Sequence, residues 1–227
     1  MKPLDLIIFD CDGVLVDSEI IGINLTRSLL QQHGVVIGLE TFCTHYSGLA
    51  WDELITKVRA ENAVELPDTL HRTFHDALYS EFDAKLKRIA GTYEAIGQLD
   101  YPKSICSNSG PEQLDFMLRR VGLDSLFQGN IFSAVDCTPN RGKPQPDIFL
   151  HAAKVMRSAA ENTLVIEDSV HGVTAAKRAG MTVIGFTGGA HTWRDHAARL
   201  KAAGADRIMV SMYQLPEEIG ACRQPEP

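Results

Sequence analysis

The stretch Phe9-Asp10-Cys11-Asp12-Gly13-Val14-Leu15-Val16-Asp17-Ser18 joins a short apolar run, residues 4–9, to a long amphipathic segment. In an extended chain, residues two apart project to the same side, so Asp10 and Asp12 share a face at the end of a strand. Gly13 lets the backbone turn sharply and lets a ligand come close. The carboxyl end of a buried strand is where open α/β sheets bind ligands. Two aspartates that merely cap the next helix would account for this stretch alone, but not for the segments further along.

Further runs in the style of 4–9 occur at 103–106, 130–134, 163–166, 182–186 and 206–210. They are short, and most are rich in Ile, Val and Leu, as strands buried on both faces of a parallel sheet are. Helical patterns at 112–121, 147–156, 170–179 and 192–203 separate the later runs. Gly122, Gly180 and Gly204 follow three of these patterns, where a left-handed helix stop is expected. The alternation predicts an α/β fold, a doubly wound parallel sheet with right-handed crossovers.

One interval breaks the alternation. From 17 to about 90 the chain shows only helical faces: Ile20, Ile23, Leu25, Leu29 and Leu30; then Trp51, Leu54, Ile55 and Val58; then Leu70, Phe74, Ala77, Leu78 and Phe82. The expected organisation is therefore a core of residues 1–16 and 90–222, an inserted helical domain of 17–89, and a disordered tail of 223–227.

Composition bounds the function. Of 227 residues, 44% are hydrophobic and 22% charged, ordinary values for a soluble globular protein. The net charge of −7 argues against nucleic acid and anionic lipid as partners. No segment has the length of a membrane span, and the acidic N-terminus does not read as a secretory signal. The five cysteines show no metal spacing, which fits a reducing cytoplasm. A monomer is the default expectation.

Three more segments complete the chemistry. Run 163–166 leads into Glu167-Asp168-Ser169, a second carboxylate pair at a strand end. If these strands are neighbours, four carboxylates converge, and such a cluster needs a cation. Oxygen ligands with open positions suit Mg²⁺. Ile105-Cys106-Ser107-Asn108-Ser109-Gly110-Pro111 reads as strand, turn and helix start, offering a hydroxyl and backbone N–H groups to an anion. Arg141-Gly142-Lys143-Pro144 fixes a lysine in a stiff loop, able to neutralise phosphate oxygens. No pair of histidines has convincing metal spacing; His45, His71, His75, His171 and His191 read as surface or internally satisfied side chains.

Taken in order, these four segments resemble the haloacid dehalogenase superfamily, in its β-phosphoglucomutase and phosphoglycolate phosphatase branch, over essentially the whole chain. The resemblance implies a flavodoxin-like core and a mobile helical cap. It implies Asp10 as nucleophile, forming an aspartyl phosphate. Asp12 would be general acid and then base, its backbone carbonyl also binding Mg²⁺. Asp10 and Asp168 would be metal ligands, with Glu167 in or just behind the ligand set. Ser107, Asn108 and Lys143 would hold the phosphate, and Trp51 would either line the substrate pocket or anchor its helix in the cap core. The implied activity is hydrolysis of a small phosphorylated metabolite: a sugar phosphate, a phosphogluconate-like acid or phosphoglycolate. The presence of Asp12 speaks against dehalogenase and phosphonate chemistry. A sugar phosphomutase is the alternative, and a non-catalytic phosphometabolite-binding protein a more distant one. Gly22 and Trp51 stand where the mutases carry a histidine and an arginine, which favours hydrolysis.

Overall fold

A computed structural model describes residues 3–139 and 141–223. The chain begins with β1 (Leu6–Phe9) and then runs through four helices without a strand: α1 (Ser18–Gln32), α2 (Leu39–His45), α3 (Trp51–Asn62) and α4 (Leu70–Lys85). After α5 (Thr92–Gly97) strand and helix alternate: β2 (Lys103–Ser107), α6 (Pro111–Val121), β3 (Ile131–Ser133), the single turn α7 (Ala134–Cys137), α8 (Asp147–Val155), β4 (Thr163–Glu167), α9 (Val170–Arg178), β5 (Thr182–Phe186), α10 (His196–Ala202), β6 (Arg207–Met209) and α11 (Leu215–Cys222). The six strands form one sheet in the order β3-β2-β1-β4-β5-β6, every neighbouring pair parallel. This is the doubly wound α/β architecture with a helical insert after the first strand.

The central strands are apolar throughout because helices cover both faces. Leu6, Ile7, Ile8 and Phe9 are all fully buried. Ile7 and Phe9 join one apolar cluster with α6 and α11. Leu6 and Ile8 join the other, with α8 and α9. This is the two-residue alternation of a strand between two helical layers. Gly122, Gly180 and Gly204 all take positive φ just past their helices, as expected of glycine stops.

The helical insert has an apolar cluster of its own, including Ile23, Leu29, Leu30, Phe42, Leu54 and Val58, with Trp193 of the loop after β5 packed against it. Ile21, Leu78 and Phe82 face the other way and belong to the larger cluster of the sheet. The chain leaves and re-enters the core side by side: Asp17 N–H donates to Lys87 O and Ile89 N–H to Leu15 O, both at 2.9 Å.

Three sequence expectations need amendment. The helix anticipated from Thr192 starts at His196. Thr192 Oγ1 donates to Thr187 O and Gly189 O, which ties residues 187–192 into a loop. Helices α5 and α11 were not anticipated. Of the anticipated disordered tail, Arg223 is placed, its guanidinium donating to the Tyr101 hydroxyl at 2.7 Å; residues 224–227 lie outside the described residues. None of the five cysteines forms a disulfide among the described residues, and Cys11 and Cys106 are buried. Among the described residues no helix is long and apolar enough to cross a membrane.

Candidate active site

Strand register sets the site. Phe9 pairs with Ile105 on one side and Ile166 on the other, so the residues that follow β1, β2 and β4 leave the sheet at one level. Asp10 and Asp12, Ser107 to Ser109, and Glu167 and Asp168 therefore meet at the carboxyl edge. Gly13 is required there: at φ +80°, a Cβ on it would lie 1.9 Å from Asp168 Oδ2.

Lys143 is the buried centre of the cluster. Its ammonium donates to Asp10 Oδ1 at 2.5 Å, Glu167 Oε1 at 2.7 Å and Cys106 O at 2.8 Å. All three N–H bonds are used. Burial alone would lower the Lys143 pKa, but Asp10 and Glu167 outweigh it and push it up. The lysine is thus a permanent cation. Burial also raises Asp10 well above the usual carboxylate range; Lys143 opposes this, and Glu167, Asp168 and Asp12 add to it. Asp168 is raised likewise, first by burial and then by Glu167.

Several side chains do something other than their sequence context suggested. Asn108 turns its amide onto the Lys143 backbone, accepting from its N–H at 2.9 Å and donating to its carbonyl at 3.3 Å. It shapes the lysine loop from a place on the pocket wall. Gly142 makes room for that amide, since a Cβ there would lie 2.8 Å from Asn108 Oδ1. Glu167 has both oxygens engaged: Oε1 by Lys143, Oε2 by the Ser169 N–H at 2.9 Å and hydroxyl at 3.0 Å. Glu167 therefore positions Lys143 and the start of α9. Gly172, in the first turn of α9, leaves it room.

Asp12 collects hydroxyls. Oδ1 accepts from Ser18 at 2.7 Å, and Oδ2 from Ser109 at 2.8 Å and Ser107 at 3.2 Å. Ser107 Oγ in turn accepts the Ser109 N–H at 3.0 Å. Trp51 opens α3 and lies stacked on His71, ring centroids 4.8 Å apart, with Phe74 at 5.1 Å. It lines the pocket and packs within the insert at once.

Three residues on the site were not singled out from the sequence. His191 is buried, and its Nε2–H reaches Asp168 Oδ2 at 3.0 Å. Burial lowers its pKa against the pull of Glu19 and Asp17, so the ring is neutral and Nε2 carries the proton. His196 Nε2 donates to the Asp168 carbonyl at 2.6 Å. Glu19, half-buried one residue after the opening motif, faces the pocket, and burial together with Asp12, Asp168 and Glu167 raises its pKa to about 7 against the pull of His191. The available signal was topological: β5 neighbours β4, so the loop after β5 must pass the carboxylates of β4.

The fit to a divalent cation rests on the donor set. Asp10 Oδ2 accepts no hydrogen bond from any described residue, while Oδ1 is held by Lys143; the Asp168 carboxylate meets His191 through Oδ2 and its own backbone N–H. Two buried carboxylates that keep open lone pairs suit a hard oxygen-seeking ion. Among the described residues no three His, Cys, Asp or Glu side chains form a ready-made cage. A cation here would therefore complete its shell with the Asp12 backbone carbonyl, water and substrate oxygens, as Mg²⁺ habitually does. The pocket in front of these oxygens has a volume of about 410 Å³, with its far wall formed by α1, α3 and α4.

A family model described as haloacid dehalogenase-like hydrolase matches residues 7–186. Among solved structures, a conserved haloacid dehalogenase-like protein from Agrobacterium tumefaciens superposes with a TM-score of 0.94 at 42% identity, covering 97% of this chain and 100% of that one. A HAD family hydrolase from Deinococcus radiodurans, solved with bound phosphate and sodium, superposes with a TM-score of 0.87 at 29% identity, 97% of each chain being covered. The 6-phosphogluconate phosphatase of Escherichia coli is 29% identical over 192 residues, 84% of this chain and 86% of that protein.

Proposed function

The chain belongs to the haloacid dehalogenase-like hydrolase family, and from that premise we propose that it is a Mg²⁺-dependent phosphatase acting on a small phosphate monoester through a phosphoryl group carried on Asp10. One observation carries the reading. Asp10 is buried with one oxygen fixed by Lys143, its other oxygen accepts no hydrogen bond from any described residue, and the residue belongs to the wall of the pocket. A nucleophile for in-line phosphoryl transfer needs this combination of a fixed direction and an open lone pair.

The residues divide the work. One carboxylate oxygen of Asp10 bonds to phosphorus, as the bond from phosphorus to the leaving oxygen breaks, and the other remains available to the cation. Asp12 hands its proton to that oxygen, and the alcohol departs. Water then attacks phosphorus, Asp12 takes the water's proton, and the bond to Asp10 breaks to release phosphate. The serine hydroxyls around Asp12 rotate freely enough to support it either as acceptor or as donor. Lys143 and the N–H groups of the turn after β2 hold the charge that builds on the phosphoryl oxygens. Asp10, Asp168 and the Asp12 carbonyl would hold Mg²⁺, which supplies charge neutralisation at the transferring group.

We read residues 17–89 as a cap over the core formed by 1–16 and 90–222, with the paired crossings at Asp17 and Ile89 as its hinge. Such a cap keeps bulk water from the phosphoryl group until the alcohol has left. The relatives favour a phosphorylated carbohydrate or a similar metabolite as substrate. The test is phosphate release from a panel of sugar phosphates and p-nitrophenyl phosphate, with Mg²⁺ and with chelator. Metal-dependent release is expected from at least one ester. Interconversion of hexose phosphates without release, or equal release in chelator, would overturn the reading.

A further inference from the structure

We infer that the alcohol this enzyme releases is uncharged, and that Glu19 selects it by accepting its hydroxyls and repelling a second anionic group. The inference rests on the phosphatase reading and narrows its substrate class.

The charges lining the pocket carry it. Four carboxyl groups reach the wall: Asp10, Asp12, Glu19 and Asp168. Among the described residues the one lysine or arginine side chain there is Lys143, and its three donors are already spent on Asp10, Glu167 and Cys106. The phosphoryl group of the substrate can use the metal and the backbone N–H groups of the turn after β2. A carboxylate or second phosphate at the other end of the substrate would meet no cationic partner. The rest of the far wall is mainly apolar, led by Phe42, Trp51, Leu54, Phe74 and Leu78, and the hydroxyls of Thr26, Tyr46 and Ser47 on it carry no positive charge. The histidines do not change this. Burial, with His71 nearby, lowers the pKa of His75, and His171 is an exposed imidazole on the rim.

Glu19 is the exception on that far wall. It lies in the first turn of α1, it lines the pocket, and no described residue donates a hydrogen bond to it. A half-buried carboxylate without a donor is suited to accept from vicinal hydroxyls of a bound polyol. Burial comes first in raising its pKa, and Asp12, Asp168 and Glu167 add to that against the pull of His191. A second anion brought into the pocket meets the same three carboxylates and Glu19 itself.

Sorbitol 6-phosphate and 6-phosphogluconate form a matched pair. They share the carbon chain and its hydroxyls, and differ in a terminal hydroxymethyl against a carboxylate. Calorimetry with the Asp10→Asn variant and Mg²⁺ at pH 8, where Glu19 is ionised and ordinary imidazoles are neutral, should show 6-phosphogluconate binding about tenfold or more weakly. Glu19→Gln added to that background should narrow the gap by about threefold or more. The same order should appear in kcat/KM of the unmutated enzyme, with the difference mainly in KM. Equal or tighter binding of 6-phosphogluconate, equal kcat/KM for the two esters, or a gap unmoved by Glu19→Gln would overturn the inference. Phosphate release from p-nitrophenyl phosphate tests the phosphatase reading separately, and the binding comparison decides the selectivity even if no ester is hydrolysed.

Discussion

The two walls of the pocket are built on opposite terms. At the edge of the sheet nearly every polar atom is committed. Lys143 uses all three donors, Glu167 both oxygens, and Asp12 accepts three hydroxyls. Across the pocket, the helical wall is mainly aromatic and aliphatic, with Thr26, Tyr46, Ser47 and His75 between, and its one carboxylate, Glu19, has no hydrogen-bond donor among the described residues. A committed network holds reacting groups to a fixed geometry, and losing one member strands another. An apolar wall with few directional contacts tolerates change and discriminates by size and charge. On the proposed reading, the chemistry resides where strands fix residues, and the selectivity where helices present a surface.

The largest effect should come from the sheet side. Asp10→Asn keeps the shape and removes the nucleophile, so phosphate release should fall by roughly a thousandfold or more. Release within tenfold of the original would break the division at its root. Lys143→Met comes next. It strands the Asp10 and Glu167 carboxylates in a buried site, and should lower stability by about 3–5 kcal/mol in urea titration as well as abolishing activity. A stable variant would mean the network is less closed than its geometry implies.

The helical side predicts a change of opposite sign. Burial raises Glu19 from 4.5 to about 7 in the folded protein. Its stabilising proton is held below pH 4.5 in both folded and unfolded chains, and stability is lost as pH rises through 7. Glu19→Gln should therefore stabilise the protein in chelator at pH 8, by up to about 3 kcal/mol, and leave it unchanged at pH 4.5. Thermal unfolding at the two pH values checks this, and a destabilised variant at pH 8 would show that Glu19 has a structural partner. The smallest effect belongs to Trp51. Trp51→Ala should raise KM several-fold with kcat changed by no more than about twofold, the mark of lost uniform binding. A large fall in kcat would place Trp51 with the chemistry instead.

The sequence shows the same asymmetry. The strands were legible because burial on both faces leaves a continuous apolar run, and all six runs became strands. That Asp10, Asp12, Ser107, Lys143 and Asp168 would meet at one edge of the sheet was legible, because strand ends and stiff turns fix where a side chain goes. What escaped depends on how loops fold back. His191 and His196 reach Asp168 only because Thr192 ties the loop after β5 against β4, and nothing local in Gly188-Gly189-Ala190-His191 announces that. Asn108 lies in the right turn, but its amide is captured by a backbone 35 residues away. Glu19 looked like an ordinary helix-start acid, and its environment exists only once α1 lies over the carboxylates. The faces of α1, α3 and α4 were readable from spacing, yet which of their residues meet substrate is set by the packing of the insert on the core.

The most direct test is to quench the enzyme in acid within milliseconds of mixing it with Mg²⁺ and a phosphate ester labelled on phosphorus, and to map the labelled peptide. The account predicts acid-stable label on the peptide containing Asp10, absent from Asp10→Asn. Label on a different residue, or undiminished phosphate release from Asp10→Asn, would contradict it.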